Sequence, residues 1–420
     1  MIPLAACGAA AVMAYAMIGT GVHRLGSPGF FGWTALAVAA YGAALAIVAR
    51  RAPRRPLLLL IVGLAVLMRA PLVAAPVGPG SDMLRYVWDA RVQRAGLSPY
   101  DVVPSDPAFA HLHTDETRAM NNRNIPSPYP PGAQLFFRLV TALHESTLAI
   151  KIALAVCDIG VILILVAWLP LLGRSPLWVV AYAWNPLVAL ETSYSGHLDA
   201  AGVLAVTAAA FALSRKQTLV SVTALACGVA VKFLPLVLIP LYWKRARPVH
   251  GVIGAGLLAL LYLPFTDVAA GMLPVGSLSN MVQGFRFNGP LFQLFDLFVT
   301  PWTVAVLSVG AGMAVALWMR LRNVDEPAAW SWPMAAALLF SPVIHPWYLT
   351  WLAPFFLSRL TAPLVVWSVA ILPVYVVWSG LFTDGTWAVP IWWLVIEYGA
   401  LAGSTAWVIR RARATWGGAR

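Results

Sequence analysis

Apolar runs as long as a bilayer is thick recur along this chain, and they leave few folds open to it. They fall near 4–22, 29–49, 56–77, 147–169, 176–190, 197–213, 249–267, 301–320, 328–345, 346–358, 361–380 and 389–409, with a further apolar interval at 218–243. A helix needs about 20 apolar residues to cross the hydrocarbon core, where every backbone polar group must be satisfied within the segment. With only 10% charged residues, an ordinary soluble domain is excluded. The pattern predicts an all-α polytopic membrane protein with about 11–14 transmembrane or re-entrant helices, organised as one domain over 1–420. The run from Pro3 to Val22 lacks a basic leader and a small-residue cleavage site, so it reads as a first span. No solenoid-period repeat and no inverted-repeat symmetry is visible. Cys7, Cys157 and Cys227 all lie within apolar runs, without metal-binding spacing.

The net charge of +12 sits in short loops between the runs, which makes it a topology signal rather than a nucleic-acid surface. Arg50, Arg51, Arg54 and Arg55 follow the second run and place that loop, and the N-terminus, in the cytoplasm. The third run then carries the chain outward, so 78–134 is an external loop. Arg174 falls inside, Glu191 and Tyr194 outside, and Ser214 to Gln217 inside. Lys244, Arg245 and Arg247 require 218–243 to start and finish inside. Twenty-six residues are too few for two full spans, so a broken hairpin turning near Lys232-Phe233-Leu234-Pro235 is expected. A single tilted span is the alternative, and it would invert everything downstream. With the hairpin, Arg320 and Arg322 are inside, His345 outside, Arg359 inside, Asp384 outside, and the tail with Arg410, Arg411 and Arg413 inside. The acidic residues, from Asp82 through Asp267 to Asp384, then gather on the external face. Abundant Ala and Arg with few Lys fit a GC-rich bacterial genome, and hence a bacterial plasma membrane.

The loop 78–134 is the longest polar interval and holds Asp82, Asp89, Asp101, Asp106, Asp115 and Glu116. Ser81 is a suitable N-cap for a helix over Asp82 to Gln93. Helical spacing puts Asp82, Tyr86, Asp89 and Gln93 on one face and Leu84, Val87 and Trp88 roughly opposite, as in an amphipathic helix lying in the interface. Arg91 breaks the pattern unless it snorkels to lipid phosphate. Asp82 stands where the chain leaves the third span, which suits a general base taking a proton from a hydroxyl. The plainer reading is that Asp82 caps the helix and pairs with Arg85, while Asp89 pairs with Arg85 one turn on. The following SPYDVVPSDPAF is a proline-rich connector, and NIPSPYPPGAQ holds Tyr129 rigidly between prolines, as a wall for a ligand or as a loop corner.

Three later stretches carry polar residues at breaks between apolar runs. SYSGHLDA places His197 and Asp199 at a helix mouth, at a spacing that does not make a two-ligand metal site. QGFRFNGP sets Arg286 between Phe285 and Phe287, as a phosphate clamp or as an interfacial anchor. LLFSPVIHPWYLTWLAPFF puts His345 at a proline-rich break, with Trp347, Tyr348 and Trp351 beside it to line a sugar or lipid groove, or to form an aromatic belt. P-loop, GxGxxG, GxSxG and HExxH patterns are absent, so a cytosolic nucleotide-dependent reaction has no evident site.

The loop SDMLRYVWDARVQRAGLSPYDVVP with SPYPPGAQ, then SGHLDA, AVKFLPLVLIPLYWKR and SPVIHPWYLTWLAPFF, occur here in the order in which similar segments occur in the GT-C superfamily of integral-membrane glycosyltransferases. More narrowly, the chain resembles bacterial polyprenol-phosphate-mannose-dependent mannosyltransferases, including those of glycosyltransferase family 87, from about Asp82 to Phe356. The resemblance implies a GT-C-like architecture and transfer of a sugar, most naturally mannose, from a polyprenyl phosphate to a hydroxyl of a glycolipid or lipid-linked glycan on the external face. The displacement would be inverting, with a first-loop Asp as base. Carried over, Asp82 is the base, and Arg85, Tyr86, Asp89, Tyr129, His197, Arg286, His345 and Tyr348 are the candidate substrate contacts. Many superfamily members carry adjacent or alternating acids in this loop. Here Asp82 stands alone until Asp89, which leaves open which of the two is the base. A lone carboxylate is a poor cage for a divalent cation, so no metal and no cofactor is expected. The rival class is a secondary transporter or lipid flippase, for which Asp158 and Lys232, both inside apolar runs, would be the working residues.

Overall fold

The computed structural model describes residues 1–266, 282–322, 326–380 and 387–417. Asp267 and Asp384 of the expected acidic face lie outside the described residues, as do the side chains of Arg322 and Arg413. Among the described residues the chain is helical with no strand. Seven helical segments are long and apolar enough to cross a membrane: Ile2–Gly19, Pro28–Val48, Arg55–Ala74, Thr147–Leu171, Pro248–Phe265, Pro301–Leu321 and Arg359–Ser379. The protein is therefore an all-α polytopic membrane protein.

The first three helices, α1 (Ile2–Gly19), α2 (Pro28–Val48) and α3 (Arg55–Ala74), pack together. Ala11, Ala14, Ala37, Ala40, Ala44 and Ala65 are buried between them. Small residues let helix backbones approach closely where lipid removes the hydrophobic drive for association. α3 is twenty residues long, so Arg54 and Arg55 stand about 30 Å from the exit that leads to Asp82.

The expected helix in the polar loop forms as α4 (Asp82–Arg94), with the Ser81 hydroxyl accepting from the Met83 amide at 3.4 Å. It does not lie in the interface, because ten of its thirteen residues are buried. Leu84, Trp88 and Val92 pack with Val102 and Met120 of the connector, and the Asp89–Gln93 face meets Ser127 and Gln134. The amphipathic helix of this loop is instead α5 (Pro131–Leu143). It buries Ala133, Phe137 and Val140 and leaves Leu139 and Leu143 bare, as a helix lying against lipid does. Arg91 does not reach for lipid phosphate. It pairs with Glu145 at 2.9 Å and donates to the Leu112 carbonyl at 3.1 Å, because the folded connector brings those acceptors nearer.

The next span, α6 (Thr147–Leu171), carries Asp158, which is fully buried. Its carboxylate accepts from Arg69 Nε of α3 and from the Tyr182 hydroxyl, both at 2.7 Å. Two helices that could not bury these groups separately are joined by burying them together.

Two shorter helices follow, α7 (Asp199–Ser214) and α8 (Thr218–Val231), packed side by side. The interval 218–243 does turn back. α8 ends at Val231, and a 3₁₀ segment over Leu234–Tyr242 returns until the Tyr242 hydroxyl meets the Ser221 hydroxyl at 2.6 Å. Pro235 and Pro240 keep the return strand out of α geometry. The hairpin tip is Lys232. Beyond it come α9 (Pro248–Tyr262), α10 (Pro301–Arg322), α11 (Ala328–Leu339) and α12 (Ile391–Gly417). Glu397 of α12 is buried, accepting from Trp367 Nε1 at 2.7 Å and from Asn288 Nδ2 at 3.1 Å.

Candidate active site

Asp82 is the first residue of α4. One carboxylate oxygen accepts from Asn121 Nδ2 at 2.8 Å, and the other stands 3.8 Å from His197 Nε2. The Gly80 amide donates to the Ala119 carbonyl at 2.8 Å, which ties the turn before the helix to the stretch that supplies Asn121. The Asp82 side chain is 21% exposed and that of Asp89 is 0%. Asp89 is also saturated: it accepts from Arg85 Nε at 2.7 Å, from the Ser127 hydroxyl at 2.5 Å and from Gln134 Nε2 at 2.9 Å. A group entering from outside can reach the Asp82 carboxylate but not that of Asp89.

His197 comes to Asp82 from the turn before α7. Its Nδ1 is 2.6 Å from Glu191 Oε2, and the other Glu191 oxygen accepts from the Tyr375 hydroxyl. Burial opposes a charge on this ring, but Glu191, then Asp82 and Asp199, outweigh it and raise its pKa above the usual histidine value. Trp347 lies flat against His197, with ring centres 3.8 Å apart, and flat against His345, at 4.1 Å, both within 13° of parallel. Two rings so close to one indole centre must take its two faces. Burial, then the positive neighbours His197 and Lys232, drive the pKa of His345 well below the usual value, so it stays neutral. Its Nδ1 is buried without a hydrogen-bond partner.

Lys232 arrives on the hairpin tip. Its ammonium donates to Asp199 at 2.7 Å and lies 3.7 Å above the ring centre of Tyr348. Trp351 Nε1 donates to the same Asp199 oxygen. Its indole fits against α7 because position 202 is glycine; a Cβ there would meet the ring at 2.1 Å.

Asp82, His197, His345 and Tyr348 are thus gathered in one cluster. Tyr86 and Tyr129 form its floor. Tyr86 stacks on Phe137 at 4.3 Å, meets Tyr129 edge-on at 5.1 Å and accepts from the Leu198 amide at 3.4 Å. Arg85 is withdrawn: besides Asp89 it donates to the Ile125 carbonyl at 3.2 Å and packs on Trp88. Arg286 also turns away, pairing with Asp296 at 2.8 Å over the ring of Phe292. Phe287 next to it meets His345 at a 35° tilt, ring centres 4.6 Å apart. Sequence reasoning passed over Asn121, Tyr375 and the pairing role of Glu191. A glutamate six positions before a histidine across a glycine was the available signal. Among the described residues no three His, Cys, Asp or Glu side chains converge as a cation site requires.

In this polytopic helical bundle a carboxylate, a cation and flat aromatic rings meet at one set of helix ends, an arrangement compatible with glycosyl transfer. The family model of the alpha-(1->6)-mannopyranosyltransferase N-terminal domain matches residues 5–245, more than half of the chain, and the protein belongs to that family. This agrees with the resemblance to GT-C mannosyltransferases, and it makes the protein a mannosyltransferase with a sugar donor and a glycan acceptor. No curated protein matches the chain.

Proposed function

We propose that the protein moves mannose from a polyprenyl-phosphate donor to a hydroxyl of a glycolipid or lipid-linked glycan on the external face of the bacterial plasma membrane. Asp82 is the base and Lys232 the cation for the donor phosphate. The observation that carries this reading is the contrast between the two carboxylates of α4: Asp82 is partly open at the cleft, whereas Asp89 is sealed and fully paired. In the transfer, the acceptor O–H gives its proton to Asp82 as its oxygen bonds to the anomeric carbon. The bond from that carbon to phosphate oxygen breaks, and its electron pair leaves with the phosphate. A phosphate leaving group needs a positive partner rather than a strong acid. Lys232, shared with Asp199, supplies one among the clustered residues, whereas Arg85 and Arg286 turn away from them onto Asp89 and Asp296. The family name specifies an α-(1→6) link. Inversion to an α product calls for a β-linked donor, and a 6-linkage for a primary hydroxyl on the acceptor.

External placement is supported by the length of α3, which separates Arg54 and Arg55 from Asp82 by about 30 Å, and by Arg215 and Lys216 at the far end of α7 from Asp199. The transporter alternative loses its best residues. Asp158 is neutralised by Arg69, and Lys232 is held by Asp199 at the cleft. The test is an assay of purified protein with polyprenyl-phosphate mannose and a lipid-linked mannoside. Transfer is expected, and Asp82→Asn should lower kcat by about 10²–10⁴-fold with the melting temperature kept. Full turnover in folded Asp82→Asn would remove Asp82 as base.

A further inference from the structure

We infer that Glu191 is a positioning residue for this reaction, holding the His197 imidazole so that Nε2 and its charge face the Asp82 carboxylate. The inference rests on the reading of Asp82 as base and deepens it.

An ionised carboxylate can only accept, so the 2.6 Å contact requires a proton on His197 Nδ1 and leaves Nε2 as the nitrogen toward Asp82. The Tyr375 hydroxyl holds the other Glu191 oxygen, and Trp347 fixes the plane of the ring. The backbone is shaped for this. Residues Leu190–Tyr194 form a π turn, an irregularity common at functional sites. The Ser195 amide closes on Leu190 at 2.8 Å and the His197 amide on Glu191 at 2.9 Å. Gly196 turns the chain at φ 65°, and a Cβ there would strike the Met83 sulfur at 2.3 Å. The turn that builds the Glu191–His197 pair is therefore seated on the first turn of α4, where Asp82 lies.

The charged and titratable groups around His197 are Glu191 at Nδ1, with Tyr375 on the other Glu191 oxygen, Asp82 toward Nε2, Asp199 with the Lys232 it holds, and His345 across Trp347. Glu191 is the strongest of those favouring the imidazolium. The imidazolium that Glu191 favours holds a positive charge 3.8 Å from the Asp82 carboxylate, and that charge is lost as pH rises. The proton from the acceptor goes to Asp82, and none passes through Glu191.

The experiment is kcat/KM against pH for the full-length protein in nanodiscs, comparing wild type, Glu191→Gln, Glu191→Asp and His197→Gln. Glu191→Gln should move the alkaline limb, where the His197 imidazolium is lost, downward by about one pH unit, a loss of about tenfold at any pH on that limb. Glu191→Asp, which keeps the charge, should leave the limb near its wild-type position. The double variant Glu191→Gln/His197→Gln should lose no more than His197→Gln alone, because the two act as one unit. An unmoved limb in folded Glu191→Gln, or additive losses in the double variant, would overturn the role of Glu191. Asp82→Asn measured alongside separates the readings: full activity there sinks the base assignment itself, whereas an inactive Asp82→Asn with an unmoved Glu191→Gln limb sinks only this inference.

Discussion

His197 and His345 lie on opposite faces of a single indole, that of Trp347, and their surroundings push their pKa values in opposite directions, His197 up and His345 down. One ring faces three carboxylates and the other faces the positive pair that those carboxylates hold. A flat stack of this kind, beside a carboxylate and an ammonium, makes a cleft with one basic end and one cationic end.

This pairing makes stability depend on pH. His345 resists protonation in the folded state, while in the unfolded chain it titrates near 6.5. Below that pH the unfolded state gains a proton that the folded state refuses, so His345 costs stability as pH falls. His197 has the opposite sign: its contribution is full below about 6.5 and fades as pH rises through its elevated folded value. Replacing His345 with Asn should therefore raise the melting temperature at pH 5.5 relative to that at pH 7.5, compared with the wild type (about one unit either side of the histidine value). A relative fall at pH 5.5 would contradict the assignment.

Asp89 and Arg85 should behave as structure. Removing one partner of a buried, hydrogen-bonded pair costs about 3–5 kcal/mol, so Asp89→Ala should lower the melting temperature sharply. The fraction that folds should keep its pH profile and its donor KM. If Asp89→Ala retained wild-type stability and lost turnover instead, the base would have to be sought there.

Lys232→Ala should raise the donor KM by about 10–100-fold, the worth of a charge-assisted contact to phosphate. Lys232→Arg should recover part of it. Arg286→Ala, whose guanidinium already serves Asp296, should leave donor KM near the wild-type value. Steady-state kinetics with varied polyprenyl-phosphate mannose distinguishes the two residues.

Ser105 is exposed on the connector. In a background with the three native cysteines replaced, a cysteine at Ser105 should react with an impermeant thiol reagent added to intact cells. Reaction only after lysis would place the cleft on the cytoplasmic side and exclude an outer-leaflet donor.

The helix capped by Ser81, the hairpin at Lys232 and the choice of Asp82, His197, His345 and Tyr348 as candidates rest on local signals (a cap, a proline-rich break, an ionisable residue between apolar runs) and on the family resemblance; that the four meet is visible only in the fold. The fate of Arg85, Asp89 and Arg91 does not follow from such signals, because their partners Ser127 and Leu112 come from irregular stretches whose path no periodicity encodes, and Gln134 and Glu145 from α5 and its end, whose packing on α4 is tertiary. Arg69 is hidden for the opposite reason. It sits inside an otherwise apolar helix, and only the packing of α3 on α6 reveals Asp158 as its partner. Glu191 appears in the sequence as a loop acid, since nothing short of the π turn at 190–194 aims it at His197.

The hairpin that ends in Lys232 has a fixed reach. α8 is fourteen residues, about 21 Å, against a hydrocarbon layer of about 30 Å. If the basic loops at its root lie at one surface and the donor is lipid-borne, as proposed, the ammonium stands short of the opposite surface and the phosphate descends to meet it. On that reading a thicker bilayer lifts the donor headgroup away from the hairpin tip and slows the encounter, with no change in any residue of the cleft.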